Sequence, residues 1–239
     1  LTGNALTLNG SLTNNSSSQE TLGMAVSLGA SSSINATGGA LSFSAALSSA
    51  ASDLSITGSG AITFSGLSFA STANKITSTG ADVRFVGDST IAADVLISSG
   101  TMKMQSGTQV FNNGLKVDGA SSVLNFTGAT VTVNGIGGGS SGEQDSLEII
   151  NFGTINVSAG TVNLTPSRFW MQDGTLNVTG GSTSMSNTLI AQSGSAISRI
   201  NVSGGSLTLT AGNRFANNGT AILTVSDSGA VTWGAGGTG

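Results

Sequence analysis

Two groups of acidic residues are the only places where this sequence concentrates side chains suited to catalysis. Asp82, Asp88 and Asp94 follow one another at intervals of six residues. The second group, the densest run of negative charge, consists of Glu143, Asp145 and Glu148. Polysaccharide-cleaving enzymes gather carboxylates on one face, where they act as acid and base or bind calcium. The sequence therefore raises the alternative of a carbohydrate-active enzyme.

The sequence around these carboxylates favours a structural role for them. Asp88 and Asp94 stand in turn-like contexts, where an aspartate is expected to satisfy backbone donors locally, within its own corner. The glycine-rich stretch before Glu143 does not match the Gly-Gly-x-Gly-x-Asp pattern of toxin-type calcium repeats, and nothing repeats it along the chain. We therefore predict no catalytic, cofactor-binding or metal-binding residues and no cofactor, and interpret the chain as non-enzymatic.

The basic residues form a small group on the same stretch of chain. Asp82 and Arg84 share the outward phase of one predicted strand, which predicts a surface ion pair contributing less than about 1 kcal/mol. Arg84 and Lys103 fall on one face, and Lys116 follows. Such cations bind an anionic glycan or discourage association between exposed sheets, and the second interpretation is favoured.

Trp170 belongs to the run Arg168-Phe169-Trp170-Met171, which follows the single proline, Pro166. We predict an insertion over residues 165–173. Trp170 then packs as a plug on the flank of the fold or, in the alternative, stacks on a sugar or a neighbouring subunit.

Composition excludes several functions. The 239 residues include no histidine and no cysteine, which removes the commonest general base and all thiolate chemistry. Net charge is −4 with no basic stripe, so nucleic-acid binding is not expected. No stretch approaches the roughly 20 apolar residues of a transmembrane helix, so we expect no membrane insertion of this segment.

A short phrase recurs about every 20 residues: a glycine, a small residue, then an aliphatic, a polar and an apolar residue. Examples are Gly39–Phe43, Gly60–Phe64 and Gly205–Leu209. Alternation with period two predicts short half-buried strands, and recurrence in one phase predicts stacked coils. The chain is thus predicted to be all-β, a single-stranded parallel β-solenoid of 20–24 residues per coil. A β-sandwich is the alternative, although it does not require one phrase throughout.

The central polar residue of each phrase sets a register for the stack. It predicts one outer ladder made of Ser42, Thr63, Arg84, Lys103, Asn125 and Glu148, continuing through Asn177, Asn201 and Thr224. Phe43, Phe64 and Phe85 fall at the matching inward position and should form an internal column. We predict one continuous solenoid over residues 1–239, a piece of a longer chain, with a glycine-rich loop at 135–146.

The polar residues also suggest two other functions, ice binding and N-glycosylation. Outward threonines and serines suggest an ice-binding array, with Thr7, Thr63, Thr132, Thr208 and Thr232 as examples. The predicted ladder is, however, interrupted by Arg84, Lys103, Asn125 and Glu148. The triplets Asn35-Ala36-Thr37, Asn125-Phe126-Thr127 and Asn177-Val178-Thr179 match the N-glycosylation pattern. They are expected by chance in a chain rich in these residues, and indicate glycosylation only in a source that makes N-glycans.

The stretches Ala5–Asn15, Val26–Ala30 and Ile34–Phe43 resemble the autotransporter-associated β-strand repeat of large bacterial surface and secreted proteins. The resemblance is clearest over about the first 70 residues. It implies a right-handed parallel β-helix, an extracellular or cell-surface location, and a passenger-type, adhesive or structural role. It carries over no catalytic residues.

These observations lead to one functional expectation and two alternatives. We expect an extracellular structural β-helix, a rod, stalk or filament subunit of a bacterial surface protein, that associates with itself end to end or laterally. The first alternative is an adhesin fragment that binds a glycan or a host surface. The second is the carbohydrate-active enzyme, which requires several carboxylates lining one groove.

Overall fold

The computed structural model describes residues 1–135, 146–191, 194–216 and 218–234. The chain winds through about ten coils of parallel strands, so the predicted all-β solenoid is confirmed. In the described ranges every regular element is a strand, and no helix there is long and apolar enough to cross a membrane.

Each complete coil adds one strand to each of three sheets, named I, II and III in chain order. Sheet I consists of β3 (Glu20–Leu22), β6 (Leu41–Phe43), β9 (Ala61–Phe64), β12 (Ala81–Phe85), β15 (Gly100–Met104), the first parts of β18 (Ser122–Val133) and β20 (Thr154–Leu164), β22 (Thr175–Val178), β25 (Ile197–Val202) and β27 (Thr220–Val225). Sheet II consists of β1 (Leu6–Leu8), β4 (Val26–Leu28), β7 (Leu47–Ser49), β10 (Leu67–Phe69), β13 (Ser89–Ile91), β16 (Thr108–Phe111), the last parts of β18 and β20, β23 (Ser182–Met185), β26 (Ser206–Leu209) and β28 (Ala230–Trp233). Sheet III consists of β2 (Ser11–Asn14), β5 (Ser32–Ala36), β8 (Leu54–Thr57), β11 (Lys75–Thr79), β14 (Asp94–Ile97), β17 (Leu115–Asp118), β19 (Ser146–Ile150), β21 (Arg168–Gln172) and β24 (Thr188–Ile190).

Apolar side chains from all three sheets fill the interior because the strands alternate inward and outward residues. Phe43 and Phe64 stack with ring centroids 5.0 Å apart, and Phe64 and Phe85 lie 5.9 Å apart. All three rings are buried. The predicted internal phenylalanine column is confirmed.

Glycines permit the tightest corners between coils. Gly100 has φ +85°, and a Cβ there would lie 2.4 Å from the carbonyl oxygen of Ala81 in the preceding coil. Only glycine fits both that backbone conformation and that approach. This explains why a glycine so often opens the repeated phrase.

The predicted outer ladder is confirmed in sheet I except at one position. Pairing runs from Ser42 to Thr63, Arg84, Lys103 and Asn125, and later from Asn177 to Asn201 and Thr224. Glu148 was wrongly placed: Asn156 follows Asn125, and Glu148 lies in β19 of sheet III. The coil between Asn125 and Asn156 spans 31 residues, whereas that between Asn156 and Asn177 spans 21. A step of ordinary coil length from Asn125 therefore reaches Glu148 in sheet III and stops short of Asn156 in sheet I.

The predicted insertion at 165–173 is not present. Residues 168–172 form β21, which pairs in register with β19 and β24. The sequence prediction left Asn156 out of the ladder. The step from Glu148 to Asn177 then exceeded the length of one coil, and the extra residues were assigned to an insertion. Residues 136–145, most of the predicted glycine-rich loop, lie outside the described ranges.

Removing one whole coil should leave the fold intact. Deletion of residues 62–82 joins Ala61 to Val83, which pairs in the same inward position as Ile62. We expect a cooperatively folding protein that is shorter by about 4.8 Å, measured by small-angle X-ray scattering and circular dichroism. Deletion of residues 62–72 is the control, because it removes about half a coil and shifts every later strand to another sheet. Equal folding of both variants would contradict this register.

Candidate functional site: the outer faces of the coil stack

The structure does not bring Asp82, Asp88 and Asp94 together. Asp82 points outward from β12 in sheet I, Asp88 precedes β13 of sheet II, and Asp94 opens β14 of sheet III. The three carboxylates thus stand on different parts of the coil perimeter. Their arrangement lacks the shared groove that the carbohydrate-active enzyme requires.

Aspartates at the corners hydrogen-bond to the backbone of the next coil. Asp88 Oδ1 accepts from Thr108 N at 2.7 Å, and Asp94 Oδ1 accepts from Gly114 N at 3.0 Å. Asp53 and Asp173 make equivalent bonds to Lys75 N and Ile197 N. Corner carboxylates therefore tie successive coils together. The expectation that Asp88 and Asp94 bond to donors of their own turns is wrong, because their backbone donors lie 20 residues further along the chain.

Asp82 is the centre of an ion-pair cluster on sheet I. Arg84 Nη2 lies 2.6 Å from Asp82 Oδ2, and Lys103 Nζ of the next coil lies 3.0 Å from Asp82 Oδ1. Burial raises the pKa of Asp82, but hydrogen bonds and positive charge from Arg84 and Lys103 outweigh that effect and hold it below its ordinary 3.8. The predicted Asp82–Arg84 pair is confirmed. Both cations are engaged by a carboxylate of the same rod.

A second charged cluster lies on sheet III. Lys116 Nζ is 3.4 Å from Glu148 Oε2 and 3.7 Å from Asp118 Oδ2. Glu148 takes an outward position in β19 but is only 4% exposed. A shielded carboxylate requires a compensating charge, which Lys116 supplies.

Trp170 lies on the outer face of sheet III, in register with Glu148 on one side. The side chain is half-buried, and the Arg168 guanidinium carbon lies 4.9 Å from the ring centroid. The cation thus covers one face of the indole. This geometry agrees with the interpretation of Trp170 as a residue packed on the flank, although it belongs to a regular strand and not to an insertion.

An asparagine ladder runs along the outer face of sheet I. Asn156 Nδ2 donates to Asn125 Oδ1 at 2.8 Å, Asn177 donates to Asn156 at 2.8 Å, and Asn201 donates to Asn177 at 2.9 Å. Each inner amide both donates and accepts. Identical residues one coil apart therefore form a continuous chain of side-chain hydrogen bonds.

The glycosylation-like triplets that contain ladder asparagines have a structural explanation. In Asn177-Val178-Thr179 the asparagine belongs to the ladder and the valine is buried. The Thr179 hydroxyl lies 3.4 Å from the carbonyl oxygen of Val157 in the preceding coil, and Ser158 and Thr127 make equivalent contacts. In this pattern the asparagine and the Ser/Thr side chains thus bond to an adjacent coil, and the apolar side chain between them packs in the interior.

Sheet II carries an outward column without a charged residue. Its members, in register from coil to coil, are Thr7, Ser27, Ser48, Ser68, Thr90, Val110, Thr132, Asn163, Ser184, Thr208 and Thr232. Of the five threonines proposed for an ice-binding array, Thr63 lies on sheet I with Arg84 and Lys103, so these charges do not interrupt the sheet II column. The structure separates a charged face from an uncharged one.

An open groove of about 490 Å³ runs beside the first strands of sheet III. Its lining includes Ser11, Ser33, Ser55 and Thr77, together with Asp53 and Lys75. Asp53 Oδ1 accepts from the Lys75 backbone and the Asn74 side chain. This carboxylate therefore contributes to the coil-to-coil contacts.

Within the described ranges, no three potential metal ligands come together. Two features of the structure are missing from the sequence-based predictions: the ladder position of Asn156 and the exposure of Phe152. The available signals are the polar residue of the phrase Gly153–Val157 and an aromatic residue immediately before its glycine. Comparison with protein-family models, with curated proteins and with solved structures finds no match to this chain.

The Asp82 cluster predicts a defined pH dependence. Because the folded pKa lies below 3.8, the stabilisation is complete above the unfolded value and disappears as the pH falls through the folded one. Asp82→Asn should lower the free energy of unfolding by less than about 1 kcal/mol at pH 7, and the difference should shrink below about pH 4. Urea unfolding from pH 7 to 2.5 measures it. In a Lys103→Gln, Arg84→Gln background the pH-dependent difference should vanish, and its persistence would argue against these partners.

The ladder predicts that an inner asparagine cannot be replaced by aspartate without loss. Asn177→Asp removes the donor to Asn156 and places two acceptors against each other, so unfolding free energy should fall by about 1–2 kcal/mol. Asn35→Asp is the matched control, since Asn35 Oδ1 accepts from the Thr37 hydroxyl, and should cost less than about 0.5 kcal/mol. Chemical denaturation compares them; equal losses would contradict a donor role for Asn177.

Proposed function

We propose that the chain is a non-enzymatic structural β-helix, a rod, stalk or filament subunit of an extracellular bacterial surface protein. The observation that carries this proposal is that outward polar side chains of sheet I and of the corners bond to adjacent coils. The asparagine ladder of sheet I is the clearest case. Surface chemistry of this kind maintains the stack along its length.

The charged residues support the same proposal. Asp53, Asp88, Asp94 and Asp173 accept from backbone donors one coil away. The clusters centred on Asp82 and Lys116 join carboxylates and cations of adjacent coils. Carboxylates engaged in this way stabilise coil stacking at several separate corners.

The extracellular part of the proposal draws on composition and on the resemblance to the autotransporter-associated repeat. Charged residues make up 8% of the chain, cysteine is absent, and hydroxyl and amide groups occupy the outward positions. The absence of cysteine leaves no thiol to oxidise in an extracellular environment.

Self-association is the partner that we propose for this rod. Natural sheets use outward charges to prevent unwanted association, and the outward column of sheet II contains none. Lateral contact through sheet II is the arrangement that this distribution of charge favours.

Assembly tests the proposal. Light scattering over a concentration series and negative-stain electron microscopy should show rods whose mean mass rises with concentration. The double variant Thr132→Lys, Thr208→Lys places cations in the sheet II column and should keep the rods apart. Ser33→Lys with Thr77→Lys, on sheet III, is the matched control and should assemble like the parent. A monodisperse monomer at every concentration, or equal assembly of both variants, would contradict lateral contact through sheet II.

A further inference from the structure

Phe152 differs from the other phenylalanines of the described ranges in its exposure. Phe152 is 65% exposed to solvent. The buried phenylalanines, each at most 1% exposed, are Phe43, Phe64, Phe69, Phe85, Phe111, Phe126 and Phe169. Phe215 and Trp170 are half-buried and Trp233 is 45% exposed, so Phe152 has the most exposed aromatic side chain of the described ranges.

The backbone at Phe152 lies in a region that bulky residues avoid. Phe152 has φ +69° and the preceding Asn151 has φ +51°. At the same corner one coil earlier stands Gly119, which adopts positive φ without strain, and one coil later stands Asp173. Glycine or asparagine would fit here, so the sequence keeps an aromatic side chain against local conformational preference. Strain retained at an exposed residue points to a function for that side chain.

Hydrogen bonds hold this corner in place. Gly153 N donates to Ile150 O at 2.9 Å, and Asn151 Nδ2 donates to Asp118 Oδ1 of the preceding coil at 2.8 Å. A Cβ on Gly153 would lie 2.4 Å from Val117 O, so the chain passes close against its neighbour. The ring is therefore presented from a fixed backbone, which lowers the entropic cost of binding a partner.

We propose that Phe152 anchors an uncharged oligosaccharide, with a pyranose ring stacked on its face. The groups around the corner are polar: Asn151 and Asp118 on one side, and Asp173, which forms an isolated antiparallel bridge with Ile150, on the other. A protein hot spot needs surrounding apolar contacts that exclude water, whereas an aromatic body beside amide and carboxylate groups suits the apolar face and hydroxyls of a sugar. One cation, Lys116, lies 3.7 Å from Asp118 Oδ2, but it is shared with Glu148, so the carboxylates outnumber it and disfavour an anionic glycan. This site is independent of the structural role proposed above.

The test begins with a printed array of neutral and anionic oligosaccharides, probed with the full chain, followed by calorimetric titration of the best neutral binder. Phe152→Gly should weaken binding at least tenfold without lowering the melting temperature, because glycine relieves the strained backbone. Phe152→Trp should retain binding, and Phe152→Leu should lose it, which separates stacking from general apolar contact. Val86→Gly, at another exposed apolar corner residue, should bind like the parent.

Two results would overturn the proposal. One is the absence of binding to any neutral oligosaccharide on the array. The other is a Phe152→Gly or Phe152→Leu affinity within twofold of the parent. Either result leaves the proposed structural role standing, since the assembly experiment depends on sheet II and not on this corner.

Discussion

Backbone hydrogen bonding between successive coils is the constraint on which the rest of this structure depends. A strand inside a stack must pair with the coil before it and the coil after it, at a spacing of about 4.8 Å. Each coil must therefore return its inward pair to one place, as Ile62 and Val83 do. Variation is confined to corners and to outward residues, because neither changes that return.

The same constraint places like side chains next to one another on the surface. A row of identical charges would repel, whereas asparagine supplies both a donor and an acceptor and so bonds to its own kind. Arg84 and Lys103 are like charges in register in adjacent coils, and the Asp82 carboxylate pairs with both of them. Phe152 differs from these residues, because its side chain forms no hydrogen bond or ion pair with an adjacent coil and its backbone has a positive φ.

Sequence reasoning recovered what is periodic and missed what is local. The column of Phe43, Phe64 and Phe85 followed from strict alternation, which the buried interior imposes on every coil. Glu148 was misplaced because an apolar-polar-apolar phrase looks alike in every sheet, and only spacing assigns it to one. That spacing failed in the one coil of 31 residues. The strain at Phe152 depends on the path of a corner, which composition does not encode.

The asparagine ladder also gives the rod a direction, because all its side-chain hydrogen bonds point the same way. Every bond donates from a later coil to an earlier one, from Asn201 towards Asn125. The side-chain amide dipoles therefore align and add, as peptide dipoles do in a helix. The Asn125 end is electropositive and the Asn201 end electronegative, and Lys103, next in line beyond Asn125, directs its charge towards Asp82. A rod built in this way has a distinguishable head and tail along one face, even where its sheets look uniform.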